Sequence, residues 1–262
     1  TSSVFPQLFL DELTDVDASK KMAIQQNINN AIDRIKLFQT TGGGFAYWPG
    51  GGYSSEWGTN YAGHFLLEAE KKGYSIPKTM KNGWLKFQKK QAKSWNKANQ
   101  NVDGPQYNDL TQAYRLYTLA LAGKPELGLM NRLRERGDLS IPAKWRLAAA
   151  YKLAGQREAA FGLVKNVSRT VPEYVELSYT FGSNARDEAM ILETLVLLNM
   201  KTAGAEMARK IANRLNEDSW MNTQATAYSL LAVSRFLGKN KAEENLKFNF
   251  EVNGQRGKRD TE

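Results

Sequence analysis

The feature that most constrains the fold of this 262-residue chain is a recurring helical unit. Each copy begins with polar residues, continues through an apolar stretch rich in Ala, Leu and Tyr, and ends at a glycine, a residue that favours a left-handed turn after a helix. Four copies end at Gly73, Gly123, Gly155 and Gly238, and a more apolar one runs from residue 188 to 199. A more polar segment follows each copy, which is typical of buried helices alternating with outer ones.

This alternation predicts an all-α fold, an α/α toroid of helical hairpins, over residues 1–246. The copies are unevenly spaced, which fits a closed ring of hairpins better than a regular superhelical array. Near the end, residues 246–252 alternate apolar and polar side chains and lead into Asn253-Gly254, a pattern that predicts a β-strand followed by a tight turn. We therefore expect residues 247–262 to begin an adjacent β domain or to form a tail.

The first long helix is predicted from about Asp17 to Gln39. Its apolar residues recur every three or four positions and form one stripe, made of Ile24, Ile28, Ile32, Ile35 and Phe38. Asp17 or Ser19 is expected to cap the start of this helix, and the glycines at 42–44 are expected to end it.

Composition excludes several kinds of chemistry. The chain has no cysteine, which rules out disulfides, thiolate metal sites and a cysteine nucleophile within it. It has no apolar run of about 20 residues, the length needed to span a bilayer, so we expect no membrane contact by this domain itself. We also expect no cofactor and no metal, because the sequence has no P-loop-like glycine motif and His64 is its only histidine.

The net charge of +9 comes from one segment. Residues 71–97 contain nine lysines and no acidic residue, while basic and acidic residues are equal in number elsewhere. A helix here places Met80, Trp84 and Phe87 on one stripe. The lysines on its other faces are predicted to form either a solvated surface or a docking face for an acidic neighbour: Lys86, Lys89, Lys90, Lys93 and Lys97. We expect no nucleic-acid binding, because such sites usually add arginines along a groove.

The sequence offers no clear catalytic group. His64 lies in an apolar helix and is interpreted as a boundary histidine that flanks the core. Because α/α toroids often carry glycosidase chemistry, acidic residues were considered as a catalytic pair. None of them sits in a distinctive motif: Asp103, Asp109, Glu173, Glu176 and Asp187. The domain is therefore not expected to be an enzyme, and an α/α-toroid carbohydrate-active enzyme remains the alternative.

A glycine- and aromatic-rich loop at residues 42–55 is the most distinctive local feature. It and the start of the next helix carry Phe45, Tyr47, Trp48, Tyr53 and Trp57. One interpretation is a platform for a sugar or a peptide. The favoured one is that the loop buries its aromatic side chains over the mouth of the ring, because aromatic residues dominate core energetics.

Three stretches carry a family resemblance. They are residues 1–6 (TSSVFP), the block 43–77 that contains GGFAYWPG, WGTNY and GYSIP, and residues 220–227 (WMNTQATA). Together they resemble the thioester domain of bacterial α2-macroglobulins, relatives of the complement thioester proteins. The resemblance spans nearly the whole chain and implies an α/α toroid, the fold already predicted from periodicity.

The resemblance also implies a mechanism. In the family, a Cys-x-Glu-Gln motif forms an internal thioester between the cysteine sulfur and the glutamine side-chain carbonyl. When a protease cuts a bait region elsewhere in the protein, the molecule collapses around it and the exposed thioester acylates an amine of the protease. The family's motif lies immediately before a segment like residues 1–6, so the thioester is expected outside this chain.

For this chain the resemblance implies supporting residues. Those expected to follow the motif or to shield it from water are Phe5, Pro6, Tyr47, Trp48 and Trp57. Relatives that direct the thioester to hydroxyl groups use a histidine around residues 93–106, where this chain has none, so amines are the expected targets. The implied partners are target proteases and other domains of the same polypeptide, in the periplasm or cell envelope, either free or as part of a lipoprotein. A non-covalent protein-interaction scaffold is a further alternative.

Overall fold

The computed structural model describes residues 1–95, 108–217, 221–240, 247–252 and 255–260. These parts of the chain contain a 3-10 helix at Pro6–Phe9, eleven α-helices and two β-strands. The α-helices are α1 Leu10–Leu13, α2 Ala18–Lys36, α3 Glu56–Lys71, α4 Lys78–Ser94, α5 Asn108–Leu121, α6 Leu127–Arg134, α7 Ile141–Leu153, α8 Arg157–Val164, α9 Asn184–Leu197, α10 Lys201–Asn216 and α11 Thr223–Asn240. The strands are β1 Lys247–Val252 and β2 Gln255–Asp260. Within these ranges, no α-helix has both the length and the apolar character that crossing a membrane requires.

The long helices form two layers, which confirms the predicted α/α toroid. The inner layer consists of α3, α5, α7, α9 and α11, which contact one another in chain order. Outside it, α4, α6 and α10 each pack against the inner helices that precede and follow them, and α8 packs on α7. The ring closes where Tyr61 of α3 stacks on Tyr228 of α11, with ring centroids 5.3 Å apart.

The inner helices are buried on nearly every side, because each packs against inner neighbours and an outer helix. In α9 every residue from 185 to 195 is buried, and in α7 the alanines at 148–150 let neighbouring helices approach closely. The starts of three inner helices are capped by Ser55, Ser140 and Ser183, whose side chains accept a hydrogen bond from the backbone N–H three residues later. Polar residues at these starts therefore fix where each buried segment begins.

The predicted first long helix is α2, and the cap predicted at its start is confirmed. Asp17 accepts a hydrogen bond from the backbone N–H of Lys20. The helix ends at Lys36, slightly earlier than predicted. The apolar stripe faces the ring, with its middle fully buried: Ile28, Ile32 and Ile35.

The loop between α2 and α3 folds back onto α4. A short antiparallel bridge joins Gln39 to Phe45, and the Gln39 side-chain amide donates to the carbonyl oxygens of Gly43 and Met80 at 3.0 and 2.9 Å. Gly43 has a φ of 93°, and a Cβ at this position would lie 2.3 Å from the carbonyl oxygen of Gly83. Glycine is therefore required here, both for the backbone conformation and for the close approach to α4.

The strand predicted near the end of the chain is confirmed as β1. It pairs antiparallel with β2, with Lys247 opposite Asp260 and Val252 opposite Gln255. The predicted turn, residues 253–254, lies outside the described residues. The assignment of residues 247–262 to an adjacent domain remains a prediction.

Candidate functional site

Polar and charged side chains fill the middle of the ring. This set, which we call the polar centre, is contributed by all five inner helices and comprises His64, Glu68, Tyr114, Tyr117, Arg146, Glu193, Tyr228 and Arg235. All of them except Arg235, which is partly exposed, are buried. Burying charged groups is costly unless they are paired and hydrogen-bonded, so these side chains must satisfy one another.

Glu193 of α9 connects three other inner helices in the polar centre. Its carboxylate accepts a hydrogen bond from the Tyr117 hydroxyl at 3.0 Å, pairs with Arg146 at 2.6 Å and also pairs with Arg235. Arg235 pairs in turn with Glu68 of α3 at 2.5 Å. Two carboxylates thus balance two guanidinium groups, and this connected set of contacts joins all five inner helices.

His64 is fully buried, so its interpretation as a boundary histidine flanking the core is wrong. The reason is that α3 is an inner helix whose polar positions face the middle of the ring. The His64 Nδ1 atom lies 2.9 Å from the Tyr114 hydroxyl, which accepts a hydrogen bond from the Tyr228 hydroxyl. Its Nε2 atom lies 3.6 Å from the Glu193 carboxylate. The Phe5 ring packs perpendicular to the imidazole, with centroids 5.0 Å apart.

Burial and pairing act on the pKa values of these groups in different ways. Burial lowers the pKa of His64 to about 3, against the opposing effect of Glu193 and Glu68, so the imidazole is neutral at pH 7. Burial alone would raise the pKa of Glu68, but Arg235 leads a set of opposing charges that lower it to about 2. The same balance, dominated by Arg146, holds the pKa of Glu193 well below its usual range. Near pH 7 these three groups have fixed charge states, which indicates a structural role for the polar centre.

A second buried cation lies near the N-terminal ends of the inner helices. Arg186 of α9 stacks on Trp57 of α3, with the guanidinium carbon 4.2 Å from the ring centroid, and pairs with Asp187 at 2.7 Å. Its guanidinium also donates to the Tyr174 hydroxyl at 3.1 Å and to the Gln224 side-chain oxygen of α11 at 3.2 Å. Arg186 therefore joins the loop before α9 to the starts of three inner helices.

The loop before α3 and the loop before α9 together form an apolar surface. Large apolar side chains are exposed on loops 45–53 and 175–181, a surface that we call the aromatic end: Tyr47, Trp48, Tyr53, Val175, Leu177, Tyr179 and Phe181. The loops meet where the Tyr47 hydroxyl donates to the carbonyl oxygen of Tyr179 at 2.8 Å. The Tyr47 and Phe181 rings also contact edge to face, with centroids 5.9 Å apart. Contiguous exposed apolar patches commonly mark interaction sites.

The expectation that loop 42–55 buries its aromatic side chains is wrong for three of them. Phe45 and the neighbouring Trp57 are buried, but the three residues that belong to the aromatic end are exposed, Trp48 at 78% and Tyr53 at 94%. The cause is the glycine-rich turn between them. Gly50 has a φ of 73° and open space around its Cα, so the turn projects into solvent and does not fold over the ring.

The five residues predicted to shield a thioester do not form one cluster. Phe5 is buried against α3, Pro6 opens the 3-10 helix, and Trp57 is buried beneath Arg186. Tyr47 and Trp48 belong to the exposed aromatic end. The structure thus separates a buried group from an exposed group, and the shielding role itself remains a prediction.

The first residues of the chain are fixed to the ring at the end that carries these loops. The Phe5 N–H donates to the Thr1 carbonyl oxygen at 2.9 Å, and the Tyr61 hydroxyl donates to the Ser2 hydroxyl at 3.3 Å. Because Tyr61 lies in the first half of α3, which directly follows loop 37–55, these residues lie toward the aromatic end.

The lysine-rich helix is α4, and its apolar stripe is confirmed by the burial of Met80, Trp84 and Phe87. Three lysines of the predicted docking face are exposed: Lys86, Lys90 and Lys93. Lys89 pairs with Glu126 at 3.0 Å. Lys97 lies outside the described residues. The docking role of these lysines remains a prediction.

Two of the acidic residues that were candidates for a glycosidase pair, Asp109 and Asp187, have structural partners. Asp109 accepts a hydrogen bond from the backbone N–H of Ser140 at 2.6 Å, and Asp187 pairs with Arg186. Asp103 lies outside the described residues. Among the side chains that the structure does describe, no group of histidine and acidic residues is arranged to hold a metal ion.

Sequence reasoning missed the polar centre. Its charged members stand inside the apolar copies of the helical unit or at their ends, as Glu68, Arg146, Glu193 and Arg235 do. A charged residue in a helix that is buried on all sides has nowhere polar to point except toward another buried charge. Opposite charges on different inner helices were therefore the signal that could have revealed the network.

Comparison with known proteins identifies the fold. Native α2-macroglobulin from Escherichia coli, in a structure spanning domain MG7 to the C-terminus, superposes with a TM-score of 0.76 at 21% identity, over 99% of this chain and 42% of that one. The Escherichia coli protein activated by porcine elastase gives 0.74 at 22% identity, over 99% of this chain and 24% of that one. Salmonella α2-macroglobulin reacted with methylamine gives 0.78 at 22% identity, over 99% and 17%.

This chain has the fold of a segment of bacterial α2-macroglobulins. It spans less than half the length of each of these three structures. No family model and no curated protein matches the sequence itself.

Proposed function

We propose that this chain is the thioester-type domain of a bacterial α2-macroglobulin-like protein that traps proteases. The observation that carries the proposal is the fold match over 99% of the chain. It is supported by the resemblance of residues 1–6 to the segment that follows the family's Cys-x-Glu-Gln motif. Two of the matching structures are described as activated by elastase and as reacted with methylamine, which is the behaviour expected of such a trap. The domain would thus inhibit endopeptidases without turnover.

The proposed chemistry is a single acyl transfer. The nitrogen of a protease amine attacks the thioester carbonyl of the motif's glutamine, an amide bond forms, the carbon–sulfur bond breaks, and the amine proton passes to the released cysteine thiolate. This chain has no cysteine and no Glu-Gln pair, so neither end of the thioester bond lies within it. The part of this chain is to hold the adjoining segment in place and to exclude water.

Phe5 supplies the holding function in this proposal. Its ring lies between the side chains of the first inner helix, with centroids 5.0 Å from His64, 5.7 Å from Tyr61 and 5.7 Å from Phe65. A residue anchored in this way fixes the position of the chain on either side of it. A Cys-x-Glu-Gln motif placed just before Thr1 would therefore be held toward the aromatic end by a chain segment that is itself firmly packed.

The aromatic end supplies the exclusion of water. We propose that another domain of the same polypeptide covers Tyr47 and Trp48 while the thioester is stored, and that cleavage of the bait region removes this cover. A stored electrophile survives only where packing keeps water out, and a conformational change must then expose it. On this proposal the protein acts in the periplasm or cell envelope, where its partners are proteases.

The first test is peptide mass spectrometry on the full-length protein, with and without methylamine, over the segment that precedes Thr1. We expect a cysteine and glutamine pair whose glutamine gains methylamine as the thiol is released. If no glutamine takes up methylamine, the covalent trap is wrong and a non-covalent protein-interaction scaffold becomes the better description.

A substitution tests the shielding role separately. Trp48→Ala in the full-length protein should speed spontaneous hydrolysis of the thioester, because it removes a large apolar side chain from the proposed cover. Met22→Ala is the matched control, since it removes an exposed large apolar side chain of α2, outside the aromatic end. Release of free thiol over time measures both rates. An unchanged rate in Trp48→Ala would remove Trp48 from the shielding group.

A further inference from the structure

We propose that helices α4 and α6 form a docking surface for the acidic face of a separate protein that binds reversibly. The two outer helices are connected by side-chain contacts. Lys89 of α4 pairs with Glu126, which directly precedes α6, at 3.0 Å. Arg132 of α6 donates to the carbonyl oxygens of Ala92 and Lys93 at 3.1 and 3.2 Å. Between them α4 and α6 carry six lysines and two arginines and no acidic residue.

From residue 86 onward, the exposed lysines of α4 are Lys86, Lys90 and Lys93, which we call the lysine ridge. Spacings of four and then three residues place them along one side of α4 over about 10 Å. Four other lysines of the 71–97 segment are paired with acidic residues: Lys71 with Glu68, Lys72 with Glu12, Lys81 with Glu70 and Lys89 with Glu126. Within the described part of the chain, the lysine ridge has no such partner.

The chemistry of the ridge favours carboxylates. Nucleic-acid and phosphate sites use arginine forks and stacked aromatic rings. Here Arg132 is occupied by the carbonyl groups at the end of α4, Arg134 by the Tyr151 ring at 5.7 Å from its centroid, and Arg136 by Asp138 at 2.8 Å. Membrane-binding helices place exposed aromatic or aliphatic residues beside their lysines, and the large apolar residues of α4 among those described are turned inward. The ammonium groups of the lysine ridge are flexible donors that each make a single-point contact, so on an outer helix they suit the carboxylates of an acidic protein surface.

The partner is expected to bind and leave readily. Stable interfaces depend on buried apolar anchors, and the lysine ridge offers none. Exposed charges mainly steer the encounter and raise the association rate, and their effect is screened by salt. The lysine ridge thus differs in kind from the aromatic end, and the inference does not depend on a thioester.

Binding of a labelled poly-L-glutamate to the full-length protein tests the proposal, by fluorescence anisotropy at low salt and at about 300 mM salt. The triple substitution Lys86→Gln, Lys90→Gln, Lys93→Gln should weaken binding about tenfold at low salt. The control Lys20→Gln, Lys21→Gln, Lys36→Gln removes the same charge from exposed positions on α2 and should leave binding within about twofold. Lys86→Arg, Lys90→Arg, Lys93→Arg should also retain binding, because the charge is kept.

Several outcomes would overturn the proposal. Equal weakening by both glutamine triples would mean that net charge alone attracts the probe. Tighter binding to phosphatidylglycerol vesicles or to duplex DNA than to polyglutamate would assign the lysine ridge to a lipid or a nucleic acid. Absence of polyglutamate binding by the unmodified protein would also contradict it. Methylamine uptake is measured on the same variants and should not change, which separates this proposal from the trapping function.

Discussion

The polar centre and the aromatic end reverse the usual distribution of side chains. The middle of the ring, which is largely shielded from water, holds the ionised groups Glu68, Arg146, Glu193 and Arg235. One end of the ring, which faces water, exposes seven large apolar side chains within the described residues. Folded proteins ordinarily place these two kinds of residue the other way round.

Each region accepts a cost that the other does not. The polar centre removes charges from water, which is tolerated only because each pairs with an opposite charge. The aromatic end leaves apolar surface exposed and holds two bulky residues in left-handed backbone, Tyr179 at a φ of 45° and Phe181 at 50°. Strain of this kind persists where the surrounding structure enforces it and is concentrated at functional sites. The polar centre therefore specifies the fold, and we expect the aromatic end to contact other molecules.

The largest effect is expected from breaking the polar centre. Glu193→Gln leaves Arg146 and Arg235 without their shared carboxylate, so we expect the free energy of unfolding to fall by about 3–5 kcal/mol. For a domain of this size that corresponds to a melting temperature lower by about 10 °C. Differential scanning calorimetry on the parent and variant proteins measures the change.

The control for Glu193 is an exposed ion pair elsewhere. Glu206 lies 3.7 Å from Arg169, and both side chains are largely in solvent. Glu206→Gln should therefore cost less than about 1 kcal/mol. If the two glutamine variants melt at the same temperature, the polar centre does not specify the fold.

Acid should weaken the polar centre next most strongly. The pKa of His64 is lowered to about 3, so below the unfolded value of about 6.5 the unfolded chain binds a proton that the folded one does not. The stabilisation that the neutral imidazole contributes is therefore complete above pH 6.5 and is lost as the pH falls. The loss is at most about 1.4 kcal/mol per pH unit and reaches about 2.5 kcal/mol at pH 4.5. Glu68, whose pKa is lowered to about 2, and Glu193 add a further loss below about pH 4.5.

Urea unfolding of the parent protein and of His64→Gln at pH 6.5, 5.5 and 4.5 tests this dependence. The variant removes the imidazole that faces Glu68, Glu193, Tyr114 and Tyr117, so its curve should be flatter than that of the parent across this range. If the two proteins lose stability equally as the pH falls, the pKa of His64 is not lowered in the folded protein.

The sequence predicted one of these regions better than the other. Helical periodicity and glycine stops predicted the toroid, since burial of an apolar stripe is a local property of each segment. The polar centre depends on which charges meet across the ring: Glu193 reaches Arg235 of another helix, a long-range pairing that no single segment encodes. The sequence marks the aromatic loop, but the exposure of Trp48 depends on how the glycines at 50–52 direct the chain, and the residues that Tyr47 contacts come from the distant loop 175–181.

The link between the two regions can be perturbed at Gly182. A Cβ at this position would lie 2.6–2.8 Å from the Arg186 guanidinium, which stacks on Trp57 beneath the aromatic end. Gly182→Ala should therefore destabilise the protein by about 1–2 kcal/mol and loosen loop 175–181. Amide hydrogen exchange in that loop measures the loosening. Gly162→Ala, in a helix position with nothing within 4 Å, should instead stabilise by about 0.5–1 kcal/mol.

The smallest effect on stability is expected at the aromatic end itself. Leu177 is 80% exposed, so Leu177→Ser should change the free energy of unfolding by no more than about 0.5 kcal/mol. The buried Leu195 of α9 is the matched control, because the same change there removes apolar contacts and buries a hydroxyl, at a cost of several kcal/mol. Urea unfolding compares the two. A large loss in Leu177→Ser would mean that the aromatic end stabilises the fold, and the division of roles between the two regions would no longer hold. If stability is unchanged, the exposed leucine is free to serve contact with another molecule.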